Sequence, residues 1–236
     1  MRVGDHLVRY RALGAGPPVL LVHGLGGSSR WWRSTEQALA ESHRVILPEL
    51  PGFGFGPGAA PFRLAEAPDV LRGLLEGLGL ARAHLVGHSL GALACAGLAA
   101  RAPHAVGRLV MIAPPVRTAG AGLLSNALPA LRTILGLPAA AAVMVASDIL
   151  GRSPLAMLRA AAELLVTEHA RELAAILAPT LLLWGARDAL VPASGARELA
   201  GLIGGAQLRL IPAAGHVPML DRPDAVIREL TAFLTG

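Results

Sequence analysis

Gly87-His88-Ser89-Leu90-Gly91 is the stretch whose reading decides the fold. The apolar run His84-Leu85-Val86 precedes it, and a small-residue run rich in Ala and Leu, Ala92 to Ala100, follows it. That context predicts strand, sharp turn and helix. A turn of this kind holds a serine at a strained backbone angle, with its hydroxyl exposed at the end of the sheet. Strand and helix backbones crowd together there, so a Cβ at Gly87 or Gly91 would clash. Ser89 is therefore the candidate nucleophile. The competing reading is a Gly-rich turn into a helix that does no chemistry.

Outward from this stretch the chain alternates strand and helix. Continuous apolar runs, the mark of strands buried on both faces, occur at Pro18 to Val22, Arg44 to Pro48, Arg108 to Ala113 and Thr180 to Trp184. Gln207 to Ile211 is the last strand, and Leu7 to Leu13 a short first strand or hairpin arm. Helices are predicted over Ser34–Glu41, Pro68–Leu78, Pro192–Ile203 and Asp221–Leu234, the last with Pro223 near its first turn. After Pro114-Pro115 the alternation breaks, and no strand is predicted from Val116 to Ala178. Apolar helical segments take its place at Leu123–Leu135, Ala139–Leu150 and Pro154–Val166, and a helix over Thr167–Leu177 rejoins the main body. The expected organisation is a core of residues 1–115 and 168–236 with a helical cap, 116–167, over the sheet edge. Ordinary core-packing helices are the alternative for that segment.

Composition bounds the rest. A chain of 236 residues, 53% hydrophobic and 16% charged, suits one α/β domain and excludes a disordered or fibrous class. All 21 basic residues are Arg, and they are scattered with no aromatic residues interleaved, so the net charge of +5 does not point to nucleic acid. The N-terminus lacks the apolar core of a signal peptide, and the uncharged stretches parse as strand, turn and helix rather than as a membrane span. A soluble cytoplasmic protein without stable membrane insertion is expected; oligomeric state has no sequence signal. Cys95, the one cysteine, has no disulfide partner and sits in the helix after Ser89 as a small buried apolar residue. No metal is expected, because that thiol stands alone, and no cofactor, because the loop after Val22 lacks Gly-x-Gly-x-x-Gly.

A serine hydroxyl needs a base, and the base needs an orienting acid. Asp188 and His216 each follow an apolar strand by a short loop, so both should reach the sheet edge that carries Ser89. Their order along the chain, Ser then Asp then His, is one of the known orders for such a triad. Asp148 and Asp221 are weaker candidates for the acid, and His23 and His88 are read as structural hydrogen-bonding residues. Acyl transfer also needs donors for an oxyanion; the backbone N–H groups of Leu90, just after the nucleophile, and Leu25, in the Gly-rich loop, are the candidates. Trp31, Trp32, Val217, Leu128 and Met144 are candidate pocket residues, with core packing the alternative for both indoles.

These residues together resemble the α/β-hydrolase superfamily over essentially the whole chain. His23-Gly24-Leu25-Gly26 is similar to its oxyanion loop, and Pro48-Glu49-Leu50-Pro51-Gly52-Phe53-Gly54 to its Asp-x-Pro-Gly-x-Gly segment. Gly87–Gly91 is similar to the nucleophile elbow, Gly185–Asp188 to the acid loop, and Gly215-His216 to the histidine loop. The resemblance implies a three-layer α/β fold, a mostly parallel sheet of eight strands or fewer, and a small helical cap. Glu49 departs from the family's usual Asp, and Phe55-Gly56 stands where a serine commonly follows. Serine at position 89 argues against the haloalkane-dehalogenase and epoxide-hydrolase branches, which use Asp. The function read from this is hydrolysis of a small-molecule carboxylic ester. The cap's Leu123, Leu124, Leu128, Leu131, Val143, Met144 and Met157 favour short- to medium-chain apolar acyl groups. A thioesterase, lactonase, acyltransferase or carbon–carbon bond hydrolase would use the same residues, and a ligand-binding module without turnover is the alternative of another class.

Overall fold

The structure, a computed structural model, describes residues 1–51, 63–115, 127–166 and 170–236. Two short strands, β1 (Arg2–Val3) and β2 (His6–Leu7), pair as an antiparallel hairpin. The main sheet is built from β3 (Arg9–Leu13), β4 (Pro18–Val22), β5 (Arg44–Glu49), β6 (Ala83–His88), β7 (Val106–Ile112), β8 (Thr180–Gly185) and β9 (Gln207–Ile211). Its order is β3-β5-β4-β6-β7-β8-β9; β3 runs antiparallel to β5 and every other pair is parallel. The sheet thus has seven strands among the described residues, within the expected bound of eight. The expected first strand, Leu7 to Leu13, is divided at Val8, whose buried backbone bonds at both N–H and C=O to Met1.

The continuous apolar runs have a simple cause. Period-two alternation in each central strand feeds two cores, one on either face of the sheet. Leu20, Val22, Leu85, Leu109, Met111, Leu182 and Trp184 face one core. There they pack with helices α2 (Ala67–Gly77), α3 (Leu90–Arg101) and α8 (Ala196–Leu202). Val19, Leu21, Val86, Val110, Ile112, Leu181 and Leu183 face the other. That core is closed by α1 (Arg33–Leu39) and α10 (Pro223–Thr235).

Between β7 and β8 the described residues are helical: α4 (Ala127–Leu135), α5 (Ala139–Leu150), α6 (Pro154–Val166) and the short α7 (Ala170–Ala174). The predicted starts of α4 and α7, including Leu123 and Leu124, lie outside the described residues, as do Gly52–Gly54 and Phe55-Gly56. The predicted closing helix is corrected. Asp221 belongs to a separate single turn, α9 (Pro218–Asp221), and α10 begins at Pro223. The proline ring excludes the helical conformation at Arg222, which stands at φ −140°, ψ 59°. No single helix among the described residues is long and apolar enough to cross a membrane.

Candidate active site

Because β4 to β9 are parallel, their carboxyl ends share one edge of the sheet. The loops that leave β4, β6, β8 and β9 there carry Leu25, Ser89, Asp188 and His216. Ser89 joins β6 directly to α3 and adopts φ 51°, ψ −121°, a left-handed region that costs a side-chain-bearing residue strain. Packing holds it there. A Cβ on Gly87 would run into the Gly91 carbonyl and the Ala92 backbone, and one on Gly91 into the His23 and Val22 carbonyls.

Three of the sequence-derived residues meet. The His216 ring has Nδ1 2.8 Å from Asp188 Oδ2 and Nε2 3.2 Å from Ser89 Oγ. A carboxylate can only accept, so Nδ1 carries the proton and Nε2 offers its lone pair to the serine hydroxyl. Asp188 is itself held: Oδ1 accepts from the backbone N–H of Leu190 at 2.9 Å and of Val191 at 2.8 Å. Ser89, Asp188 and His216 are all buried. A chain of this polarity can pass a proton from hydroxyl to imidazole, with the carboxylate holding the imidazolium that results.

The histidines flanking the site are structural. Leu50 N–H reaches His23 Nε2 at 3.1 Å, so that nitrogen is the acceptor and Nδ1 donates to the Gly24 carbonyl at 2.9 Å. His88 Nε2 lies 2.8 Å from the His216 carbonyl and donates to it. Its ring lies between those of Trp31 and His216, tilted against both, with centroids 5.8 Å and 5.0 Å away. Burial lowers the pKa of both, that of His88 furthest, and the neighbouring His216 adds to the effect at His88. His84 and His88 are four residues apart, but a strand spreads such a pair along its length. Burial raises the Cys95 thiol, which keeps it protonated.

Leu90 opens α3, so its N–H is among those a helix start leaves without an intrahelical partner, at the end where the dipole favours negative charge. The Gly-rich loop closes on Ser89 from the other side: a Cβ on Gly24 would lie 3.0 Å from Ser89 Cβ and 2.8 Å from His88 Nδ1.

The two weaker acid candidates are committed elsewhere. Asp221 Oδ2 accepts from Gly215 N–H at 2.6 Å. Asp148 is buried on α5 and turns toward the loop of residues 24–31. Its Oδ2 accepts from Ser28 Oγ at 2.8 Å and Trp31 Nε1 at 2.9 Å, and its Oδ1 from the Arg30 guanidinium. One turn later Arg152 donates to the Gly27 carbonyl at 2.6 Å and lies 3.8 Å from Glu49, whose Oε1 accepts from Ser29 N–H at 2.9 Å. Met157 of α6 and Ile149 of α5 pack over Gly26. Sequence reasoning missed the part played by Arg152. The available signal was Asp148 and Arg152, two opposite charges four positions apart at the end of an otherwise uncharged helix.

Of the candidate pocket residues, Val217 is buried beside His216, and Met144 is half-buried against the core that α1 and α10 close. Trp31 is buried and tied to Asp148. Trp32 and Leu128 lie at opposite extremes of burial. Trp32 is fully enclosed in the core, which leaves no ring face for a ligand, and Leu128 is 54% exposed on α4. Trp32 follows its apolar surface inward because the β4 loop runs straight into α1.

A family model described as "Alpha/beta hydrolase family" matches residues 19–229. The dihydrolipoyllysine-residue acetyltransferase component of the acetoin cleaving system of Pseudomonas putida is 32% identical over 98% of this chain and 68% of its own length. A pimeloyl-[acyl-carrier protein] methyl ester esterase of Nitrosospira multiformis is 24% identical over 98% of this chain and 99% of its own. Among solved structures, a bacterial membrane phospholipase A superposes with a TM-score of 0.87 at 25% identity, over 100% of this chain and 84% of that one. With the model spanning nearly the whole sheet and every loop of the site, this chain belongs to the alpha/beta hydrolase family.

Proposed function

We propose that the protein is a serine-dependent carboxylic-ester hydrolase acting on apolar, short- to medium-chain acyl groups. The observation that carries this is the hydrogen-bonded chain Ser89–His216–Asp188, with the serine strained at a helix start. Ser89 Oγ attacks the ester carbonyl carbon as His216 Nε2 takes its proton. The carbonyl oxygen, now negative, accepts from the N–H groups of Leu25 and Leu90. Collapse of the tetrahedral species breaks the bond to the alkoxy oxygen, which leaves as the alcohol with the proton from His216. The acyl group stays on Ser89 until water, deprotonated by His216, attacks it and restores the serine. In this reading residues 116–167, which include α4 to α6, act as a cap, with Met144 and Val217 against the acyl chain. An ester substrate is in keeping with two of the similar proteins, named as a methyl ester esterase and a phospholipase A.

The test is the initial rate on p-nitrophenyl esters of increasing acyl length, for the parent and for Ser89→Ala. The expected result is an optimum at short to medium length that disappears in the variant, with kcat lower by roughly 10⁴-fold or more. Equal rates in the two proteins would overturn the proposal.

A further inference from the structure

The loop that carries Leu25 is held from two sides. Gly24-Leu25-Gly26-Gly27 forms a tight turn, closed by the Gly27 N–H on the Gly24 carbonyl at 3.0 Å. Gly26 stands at φ 69° and Leu25 at negative φ, the combination of a type II turn. The turn's own hydrogen bond leaves the Leu25 N–H unspent, as an oxyanion donor requires. Three of the four residues are glycine, which imposes less torsional restraint than any other residue. A donor aimed at a developing charge has to be fixed before the charge appears. The turn's own sequence does not fix it, so its neighbours must.

One end is anchored to the sheet. His23 follows β4, and its Nδ1 donates to the Gly24 carbonyl at 2.9 Å while Nε2 accepts from the Leu50 N–H. The other end is anchored by Arg152, whose guanidinium donates to the Gly27 carbonyl at 2.6 Å. Both backbone groups of Gly27 are thus spent, the N–H inside the turn and the carbonyl on Arg152. Arg152 lies in the bend between α5 and α6, and its side chain is 1% exposed. A buried guanidinium is costly unless it is paired. Glu49, 3.8 Å away, answers the charge and also accepts from the Ser29 N–H, so the same pair braces the loop beyond the turn. Asp148 ties α5 to the loop as well, but at Ser28, Arg30 and Trp31 and not at the turn.

We propose that Arg152 is a positioning residue for acyl transfer. By holding the Gly27 carbonyl it sets the Leu25 N–H against the oxyanion, so the segment between β7 and β8 supplies part of the catalytic framework. The proposal rests on the reading of Ser89 and Leu25 given above.

The experiment compares the parent with Arg152→Met, Arg152→Lys and Arg30→Gln in two reactions. The first is hydrolysis of a p-nitrophenyl ester. The second is phosphonylation by a fluorophosphonate: Ser89 Oγ bonds to phosphorus, fluoride leaves, His216 takes the serine proton, and the phosphoryl oxygen occupies the oxyanion position. Methionine keeps most of the stem and removes the donor. For Arg152→Met, kcat and the phosphonylation rate should each fall roughly 10²-fold, the loss expected when a catalytic group is misplaced by about 1 Å, with KM within about threefold and every site labelled at completion. Arg152→Lys keeps the charge on a side chain one bond shorter and should lose about tenfold. Arg30→Gln loosens an exposed tie of α5 without touching the turn and should stay within about twofold.

Parent-like rates in Arg152→Met overturn the proposal. So does a rise in KM alone, which would make Arg152 a substrate-binding group, or a smaller labelled fraction at unchanged rate, which reports lost fold only. An equal loss in Arg30→Gln overturns it too, since docking of α5 would then suffice. If the parent is phosphonylated at Ser89 but hydrolyses no ester, the ester reading fails and the phosphonylation rates alone decide the part of Arg152. A parent that is not phosphonylated sinks both. Should Arg152→Met fail to fold, Arg152→Lys carries the decision, and parent-like phosphonylation in it overturns the proposal.

Discussion

Replacing Asp148 by alanine should detach α5 and α6 from the loop that carries Leu25. The carboxylate is 1% exposed and satisfies two buried donors, Ser28 Oγ and Trp31 Nε1, together with the Arg30 guanidinium. The Arg30 side chain is about half exposed and returns to water at little cost. The other two donors have no such escape. A buried donor left without an acceptor costs about 1–3 kcal/mol, so the pair together should cost roughly 3 kcal/mol. For a domain of this length 1 kcal/mol shifts the midpoint by about 2–4 °C, which predicts a fall of roughly 6–12 °C in Tm. Asp148→Asn keeps an oxygen with two lone pairs for Ser28 and Trp31 and turns its amide donors toward Arg30, so it should lose less than half as much. Thermal unfolding by circular dichroism reads the first effect, and amide hydrogen exchange over α5 and α6 reads whether the helices open before the sheet does. Trp31→Phe removes one of the donors. In its background Asp148→Ala should cost about 1–2 kcal/mol less, a coupling that a double-mutant cycle resolves. A Tm within 1 °C of the parent, together with unchanged exchange protection over α5 and α6, would refute the reasoning.

Two further outcomes are expected. In the proposed esterase, Asp188→Asn would present an amide to His216 Nδ1, favour the wrong tautomer and lower kcat by roughly 10⁴-fold with little change in Tm; unchanged turnover on p-nitrophenyl esters would count against the assignment. Acid should destabilise the fold. Burial lowers the pKa of His23, His43, His84 and His88 below 6.5, so below that pH the unfolded chain binds more protons than the native one and stability falls as pH falls. The raised Asp221 carboxyl, desolvated by burial, acts in the opposite sense and offsets part of the loss, because the native state protonates it first. Melts at pH 8, 7, 6 and 5 should therefore show Tm decreasing below about pH 6.5; a Tm at pH 5 equal to that at pH 7 would contradict this.

Where local chain geometry decides a feature, the sequence alone determined it. Residues Pro18 to Val22 or Thr180 to Trp184 can be buried on both sides only as inner strands, and glycines at 87 and 91 are required by a strand and a helix that touch. The parallel order of β4 to β9 then delivers the ends of four loops to one edge whatever the packing between them, which is why Ser89, Asp188 and His216 could be named together. Tertiary structure alone decided the roles of side chains whose partners are remote in sequence. Asp148 had the credentials of a second acid until Ser28, 120 positions earlier, and Trp31 took up its lone pairs. Trp31 and Trp32 are adjacent and chemically identical, yet one ends beside His88 and the other inside a sealed core, a difference set by what packs over the loop and α1. The same holds for the leucines of α4 to α6. Their composition marked apolar helices, but which side of α5 and of α6 the body covers depends on Asp148, Met157 and Glu163 finding partners on other elements. Periodicity and steric crowding act over a few residues and are written in the local sequence, whereas burial is a property of the assembled neighbours and exists only once the chain has folded.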